Sequence, residues 1–192
     1  TDMNEFDHKI ERVDPETLSS MGQYTLPQIL YKQAERFGSQ KIAIREKFCG
    51  IWQTMDWRGY FRYTKNTALG LMALGIERGE TVGFILDNGP EWLFGELGTH
   101  TAGAVALPLF ASDPAEMLVS ELNHVQAAYV FAQNQVQVER LLAHRQEIPY
   151  VKQIITIDPT GLKFYEDDPW LVAFSQLLEL GEDLDDEQPD LF

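Results

Sequence analysis

The stretch from Thr81 to Phe110 constrains the fold most, because it reads as a strand, a tight turn, a helix and a second strand that cannot stand alone. Val82, Phe84, Ile85 and Leu86 form a short apolar run, Asn88-Gly89-Pro90 turns the chain, and Glu91 to Ala102 carries a helix that Gly103 can end. Ala104-Val105-Ala106-Leu107 then resumes an apolar strand. Two strands joined across a helix favour a parallel pair with a right-handed crossover, and a parallel sheet needs cover on both faces. The expected fold class is α/β, a mostly parallel sheet with flanking helices.

The flanking sequence extends this alternation. Thr25 can cap a helix over Leu26 to Phe37, with Pro27 in its first turn, Gln28 as reciprocal partner and Gly38 as the stop. Lys41 to Arg45 and Ile51 to Met55 flank Phe48-Cys49-Gly50 and predict a small N-terminal antiparallel hairpin. Asp56 precedes a helix with one inward stripe through Trp57, Phe61, Thr64, Ala68 and Leu71 or Met72, stopped by Gly75. Downstream, Asp113-Pro114-Ala115-Glu116 reads as a helix start with Asp113 capping and Pro114 at the first helical position. Ala128 to Phe131 reads as a buried strand, Asn134 caps a helix through Arg145, and Gln153 to Ile157 is a further strand. Asp158-Pro159-Thr160-Gly161 is a turn, and Leu171 to Leu180 predicts a last short helix.

Charge sets the expected limits of this region. From Glu179 onward lie Glu182, Asp183, Asp185, Asp186, Glu187 and Asp190 with no Lys or Arg, so residues 181–192 are expected to be an acidic linker. Residues 1–24 are polar without sustained periodicity and are expected to be a weakly ordered arm, leaving 25–180 as the α/β unit. The net charge of -15 argues against nucleic acid and anionic membrane surfaces, and no basic face is expected to offset it. One cysteine, Cys49, excludes an internal disulfide, and no apolar run approaches membrane-spanning length. With nothing at the N-terminus resembling a secretion signal, a cytoplasmic location is the expectation.

The chemistry that such folds often host is not visible in this chain. No G-x-G occurs, so the backbone has no dinucleotide fingerprint, and Gly70 to Gly75 matches only the glycine spacing of a P-loop, with Ile76-Glu77 where Lys-Ser/Thr should stand. No serine sits in a G-x-S-x-G elbow. His8, His100, His124 and His144 are too scattered for a zinc site, and Cys49 has only Lys47 near it in sequence. Asp56, Asp113 and Asn134 are assigned to helix capping. Gly95, Gly98 and Ala102 recur at helical spacing and predict close packing, while Trp52, Trp57, Trp92 and Trp170 read as core residues. Three functional classes stay open on these residues: part of an enzyme, a catalytically silent binding or regulatory module, and a small flavodoxin-like nucleotide binder using a crevice at the strand ends.

The order of segments resembles the opening of AMP-forming acyl-CoA synthetases, particularly the long-chain branch. Thr25-Leu26-Pro27-Gln28-Ile29-Leu30 with Phe37-Gly38, and Gly50-Ile51-Trp52-Gln53-Thr54-Met55-Asp56-Trp57, are similar to its first segments. Ala68-Leu69-Gly70-Leu71, Leu74-Gly75-Ile76 and Gly79-Glu80-Thr81-Val82 resemble its first core motif and the strand after it. Asp87-Asn88-Gly89-Pro90-Glu91-Trp92, Ala102-Gly103-Ala104-Val105 through Pro108, Asp113-Pro114-Ala115-Glu116 and Val151-Lys152-Gln153-Ile154 resemble the continuation. The resemblance covers roughly Gln23 to Leu180 and implies an incomplete part of the large N-terminal domain of adenylate-forming enzymes.

That resemblance implies a parent reaction in two steps. A fatty acid reacts with ATP and Mg²⁺ to give an acyl-adenylate and pyrophosphate, and the acyl group then passes to the thiol of CoA. The family's phosphate loop, adenine motif, ribose-holding aspartate and C-terminal-domain lysine have no counterparts among these residues. No catalytic, cofactor-binding or metal residue is therefore carried over, and this chain alone is expected to be inactive and to bind none of these cofactors. Surface covered by the remainder of such an enzyme predicts self-association through apolar patches.

Overall fold

A computed structural model describes residues 22–192, so most of the expected 1–24 arm lies outside the described residues. Five parallel strands form the centre: β3 (Thr81–Ile85), β4 (Val105–Pro108), β5 (Tyr129–Ala132), β6 (Gln153–Thr156) and β7 (Leu171–Ala173), in spatial order β4-β3-β5-β6-β7. Helix α3 (Pro90–Thr101) joins β3 to β4, α4 (Ala115–His124) joins β4 to β5, and α5 (Gln135–Ala143) joins β5 to β6. The chain leaves β3 in one direction to reach β4, then reverses to β5. A constant crossover hand must therefore put α3 and α4 on opposite faces, as observed.

Strand alternation feeds the two layers. Val82, Phe84, Tyr129, Phe131 and Ile155 point to the face carrying α3, where Phe84 and Phe131 stack at 5.0 Å between ring centroids. Ile85, Val130, Ala132 and Ile154 point to the face covered by α4 and α5 through Leu118, Leu122, Val138 and Leu141. Each buried Val, Leu, Ile or Phe among them contributes about 1.5–3 kcal/mol. The sheet is apolar on both faces, which is why its strands read as continuous apolar runs.

The N-terminal elements cover the α3 face. Helix α1 (Leu26–Phe37) begins in the expected capping box: Gln28 N–H donates to Thr25 Oγ1 at 3.4 Å, and Thr25 N–H donates to Gln28 Oε1 at 3.0 Å. Strands β1 (Ile42–Phe48) and β2 (Ile51–Asp56) form the antiparallel hairpin, turned by Cys49 and Gly50, both left-handed at φ 48° and 81°. Asp56 caps α2 (Trp57–Ala73) by accepting from Gly59 N–H at 2.7 Å. That bond, with the Ser39 hydroxyl, holds its carboxyl below the usual range.

Four expectations change here. The single inward stripe on α2 becomes burial all round from Asn66 to Leu71, because α3 lies along one flank and a later helix along another. That helix, α6, runs Phe174–Glu187, and residues 171–173, read as its start, are strand β7 instead. The acidic linker is helical as far as Glu187: Glu182 accepts from Asn66 at 2.8 Å, and Asp185 pairs with Lys65 at 2.7 Å. Two glycines make this contact possible. Any side chain on Gly70 would strike the main chain at Leu177, and one on Gly181 would strike the main chain at Asn66. Finally, Asp113 does not cap α4, since Pro114 occupies the N-cap and a buried Asp113 oxygen has no partner among the described residues.

Charge is also more segregated than expected. Residues 32–65 carry Lys32, Arg36, Lys41, Arg45, Lys47, Arg58, Arg62 and Lys65 against only Glu35, Glu46 and Asp56. The α1 end, the hairpin and the first half of α2 are thus basic in sequence on an acidic molecule, although Lys65 is paired with Asp185. No helix among the described residues is long and apolar enough to cross a membrane.

Candidate functional site

In an open α/β sheet the ligand position is set by topology, at the carboxyl ends of the strands where their order reverses. Here the reversal lies between β3 and β5. The gap is bridged directly, because Asp87 N–H donates to Gln133 Oε1 at 3.0 Å and Gln133 N–H donates to the Ile85 carbonyl at 3.0 Å. An accessible hollow lies to one side of that bridge, beneath the hairpin. It is a cavity of about 400 Å³, within the usual size of small-molecule sites.

Its walls come from four directions. Ile157 follows β6, Ala173 ends β7, and Phe174, Ser175 and Leu178 belong to α6. Tyr63 and Phe94, stacked at 4.8 Å between centroids, come from α2 and α3. Ile44, Glu46, Gln53, Thr54 and Met55 come from the hairpin, and Pro90 and Glu91 open α3. The floor is thus apolar and aromatic and the rim polar. Gly89 lies beside both rim carboxylates: a Cβ there would sit 3.1 Å from Glu91 Oε2 and 3.9 Å from Glu46 Oε1.

The electrostatics limit what can enter. Glu46 and Glu91 line the cavity and no Lys or Arg does. The N-termini of α3 and α6 offset these carboxylates only partly. A triphosphate with its metal requires cationic and amide donors around the phosphates, so this donor set does not fit ATP. An apolar group with a neutral or cationic end fits better. Nearby Tyr60 packs on Phe94 at 5.8 Å, and its burial, with Glu96 adding repulsion, pushes its phenol up to about 12.

The residues singled out from sequence separate clearly. Asp56 and Asn134 are caps, Asn134 accepting from Val136 N–H at 3.1 Å. His100, His124 and His144 do not converge, and no group of three His, Cys, Asp or Glu able to hold a metal occurs among the described residues; His8 lies outside them. Cys49 is exposed at the hairpin turn. Trp170 is core, donating from Nε1 to the Val151 carbonyl at 2.8 Å, and Trp57 and Trp92 are half-buried, but Trp52 is 63% exposed rather than core. Gly95 and Gly98 fulfil their expected role, meeting Phe84 and Thr67. Sequence reasoning missed that Glu46 and Glu91 line one cavity. Glu46 and Glu91 stand 45 positions apart, with no periodic signal that joins them.

An open parallel sheet with a cavity at the strand ends, roofed by a hairpin, defines an α/β chain of the ligand-binding type. The family described as AMP-binding enzyme matches residues 30–190, and the chain belongs to that family. Among its relatives, a long-chain-fatty-acid–CoA ligase of Xenopus laevis is 25% identical over 179 residues, covering 93% of this chain and 24% of that protein. A long-chain-fatty-acid–CoA ligase of Drosophila melanogaster is 25% identical over 158 residues, covering 81% of this chain and 23% of that one. The chain thus spans about a quarter of the length of these curated relatives. The fold matches that of an anthranilate CoA ligase solved with anthranoyl-AMP, with TM-score 0.68 and 19% identity over 81% of this chain and 28% of the other. A Rhodopseudomonas palustris chain assigned as a long-chain-fatty-acid CoA ligase matches with TM-score 0.66 and 19% identity over 80% of this chain and 36% of the other.

Proposed function

We propose that this chain is the N-terminal scaffold portion of a cytoplasmic, ATP-dependent long-chain fatty acid CoA ligase, and that it is inactive alone. The observation that carries this reading is the family match over residues 30–190 in a chain that spans 24% of a long-chain-fatty-acid–CoA ligase. In the parent enzyme, ATP with Mg²⁺ would activate the fatty acid carboxylate and CoA would accept the acyl group. The residues of this chain would position that machinery by holding the sheet, its flanking helices and the cavity beneath the hairpin. The acidic lining of the cavity supports the view that phosphate chemistry belongs to other segments.

The purified chain, given ATP, Mg²⁺ and a long-chain fatty acid, is expected to release no pyrophosphate; sustained release would sink the scaffold reading. Reading the coding sequence beyond the Phe192 codon is the companion test. A continuing frame with a Ser/Thr/Gly-rich loop ending in lysine supports the ligase, whereas a stop codon favours the silent module. Calorimetry with ATP, AMP and FMN addresses the nucleotide-binder alternative, with no heat of binding expected.

A further inference from the structure

The geometry points to a second ligand site: the cleft between α1, α2 and the C-terminal end of α3 holds an aromatic monoanion, its rings among apolar side chains and its anionic head at Arg78 and His100. This rests on that cleft alone and not on the ligase reading.

The cleft has a volume of about 690 Å³, within the usual size of small-molecule sites, and shares no lining residue with the cavity beneath the hairpin. Three rings stand in its apolar part. Tyr31 of α1 lies 5.4 Å from Phe61 of α2 between ring centroids, and Phe61 lies 5.7 Å from Phe192. The two pairs are inclined at 57° and 75°, so they offer both edges and faces to a further ring. Leu30 and Met72 complete this part of the wall.

The polar part has the opposite sign from the cavity beneath the hairpin. Arg78 and His100 line the cleft, and no Asp or Glu does, on a chain of net charge -15. Arg78 joins no ion pair among the described residues, and its guanidinium stays charged throughout the physiological pH range. The C-terminus of α3 opposes an anion with only about half a charge. It is muted further because the carbonyls of Leu97, Gly98, Thr99 and His100 already accept hydrogen bonds within the chain. Thr64 is an independent pointer to a ligand: it lines the cleft, is 2% exposed, and its hydroxyl has no hydrogen-bond partner among the described residues.

These features select a ligand with one charge and an apolar, ring-bearing body. A guanidinium beside an imidazole matches a single carboxylate or sulfonate. A nucleotide would bring a polar ribose and further negative charges, for which the wall offers no second Arg or Lys. An organic cation would meet Arg78 as a like charge, and a flexible alkyl chain would forgo the ring contacts.

The test is the fluorescence of anilinonaphthalene sulfonate with the purified chain, followed by its displacement. Naphthoate is expected to displace the probe at about fivefold lower concentration than naphthylmethanol, which has the rings without the charge, or octanoate, which has the charge without the rings. Naphthylmethylammonium should not displace it. Arg78→Gln should weaken naphthoate binding about fivefold and Arg78→Lys should retain most of it, whereas Arg45→Gln, the same charge change on the hairpin, should leave it unaltered. Arg78 is exposed, so unchanged thermal unfolding serves as the folding control. Thr64→Val should weaken binding without lowering the unfolding midpoint, since no intramolecular hydrogen bond is lost. Equal displacement by the alcohol, by octanoate or by the ammonium compound, or indifference to Arg78→Gln, would overturn the proposal. So would tighter binding in Glu46→Gln, which places the probe beneath the hairpin, or binding that falls as protein concentration rises, which gives the cleft to a second copy.

Discussion

Gly70 and Gly181 are helical residues whose value lies in what they lack. Alanine is about 1 kcal/mol better than glycine in an exposed helix, so propensity alone would make Gly70→Ala stabilising. The Leu177 main chain lies where the methyl would go and cannot swing aside as a side chain could. Gly70→Ala is expected to destabilise the fold by about 1–3 kcal/mol in urea titration, and a stabilised variant would refute the contact. Tyr60 gives a second prediction with a defined sign. Burial raises its folded pKa to about 12, above the free phenol. Its stabilising contribution is complete below the free phenol's titration range and is lost as pH rises toward the folded value. Tyr60→Phe should flatten the alkaline limb of stability against pH and leave the neutral region's slope unchanged.

At the level of elements, the hairpin turn uses one residue that resists its conformation. Cys49 is left-handed without being glycine, whereas asparagine tolerates that region. Cys49→Asn should stabilise the hairpin by about 0.5 kcal/mol, and Gly50→Ala should destabilise it by about 1 kcal/mol. Amide hydrogen exchange across β1 and β2 would register both. Elements with local signals were legible in the sequence: the α1 box, the hairpin, the Asp56 and Asn134 caps, and the β3-α3-β4 unit. Strand β7 was not, because three residues carry no usable period and exist as a strand only by pairing with β6. The helical reach of α6 was hidden for a similar reason. Its acidic residues look solvated until Asn66 and Lys65 appear beside them.

Across the whole molecule, the fold class followed from strand and helix alternation, but the order of strands did not, since nothing local specifies which edge β4 joins. The cavity's place at the strand ends follows from topology, whereas its roof depends on how the hairpin sits over α2. The same sheet has an open edge at β4, where Val105 is 50% exposed and Phe110, just beyond, is 76% exposed. Such an edge invites pairing with another chain. Sedimentation velocity should show mass rising with concentration, and Val105→Lys should suppress it; a monomer at every concentration would remove the case for self-association.

The lock between α2 and α6 also has a consequence in time. Asn66 and Glu182 are separated by 116 positions. A ribosome adding ~5–20 residues each second takes roughly 6–23 s to cover that distance. Throughout that interval the flank of α2 that α6 will cover stays bare on the nascent chain, so chaperones should engage this protein before α6 emerges.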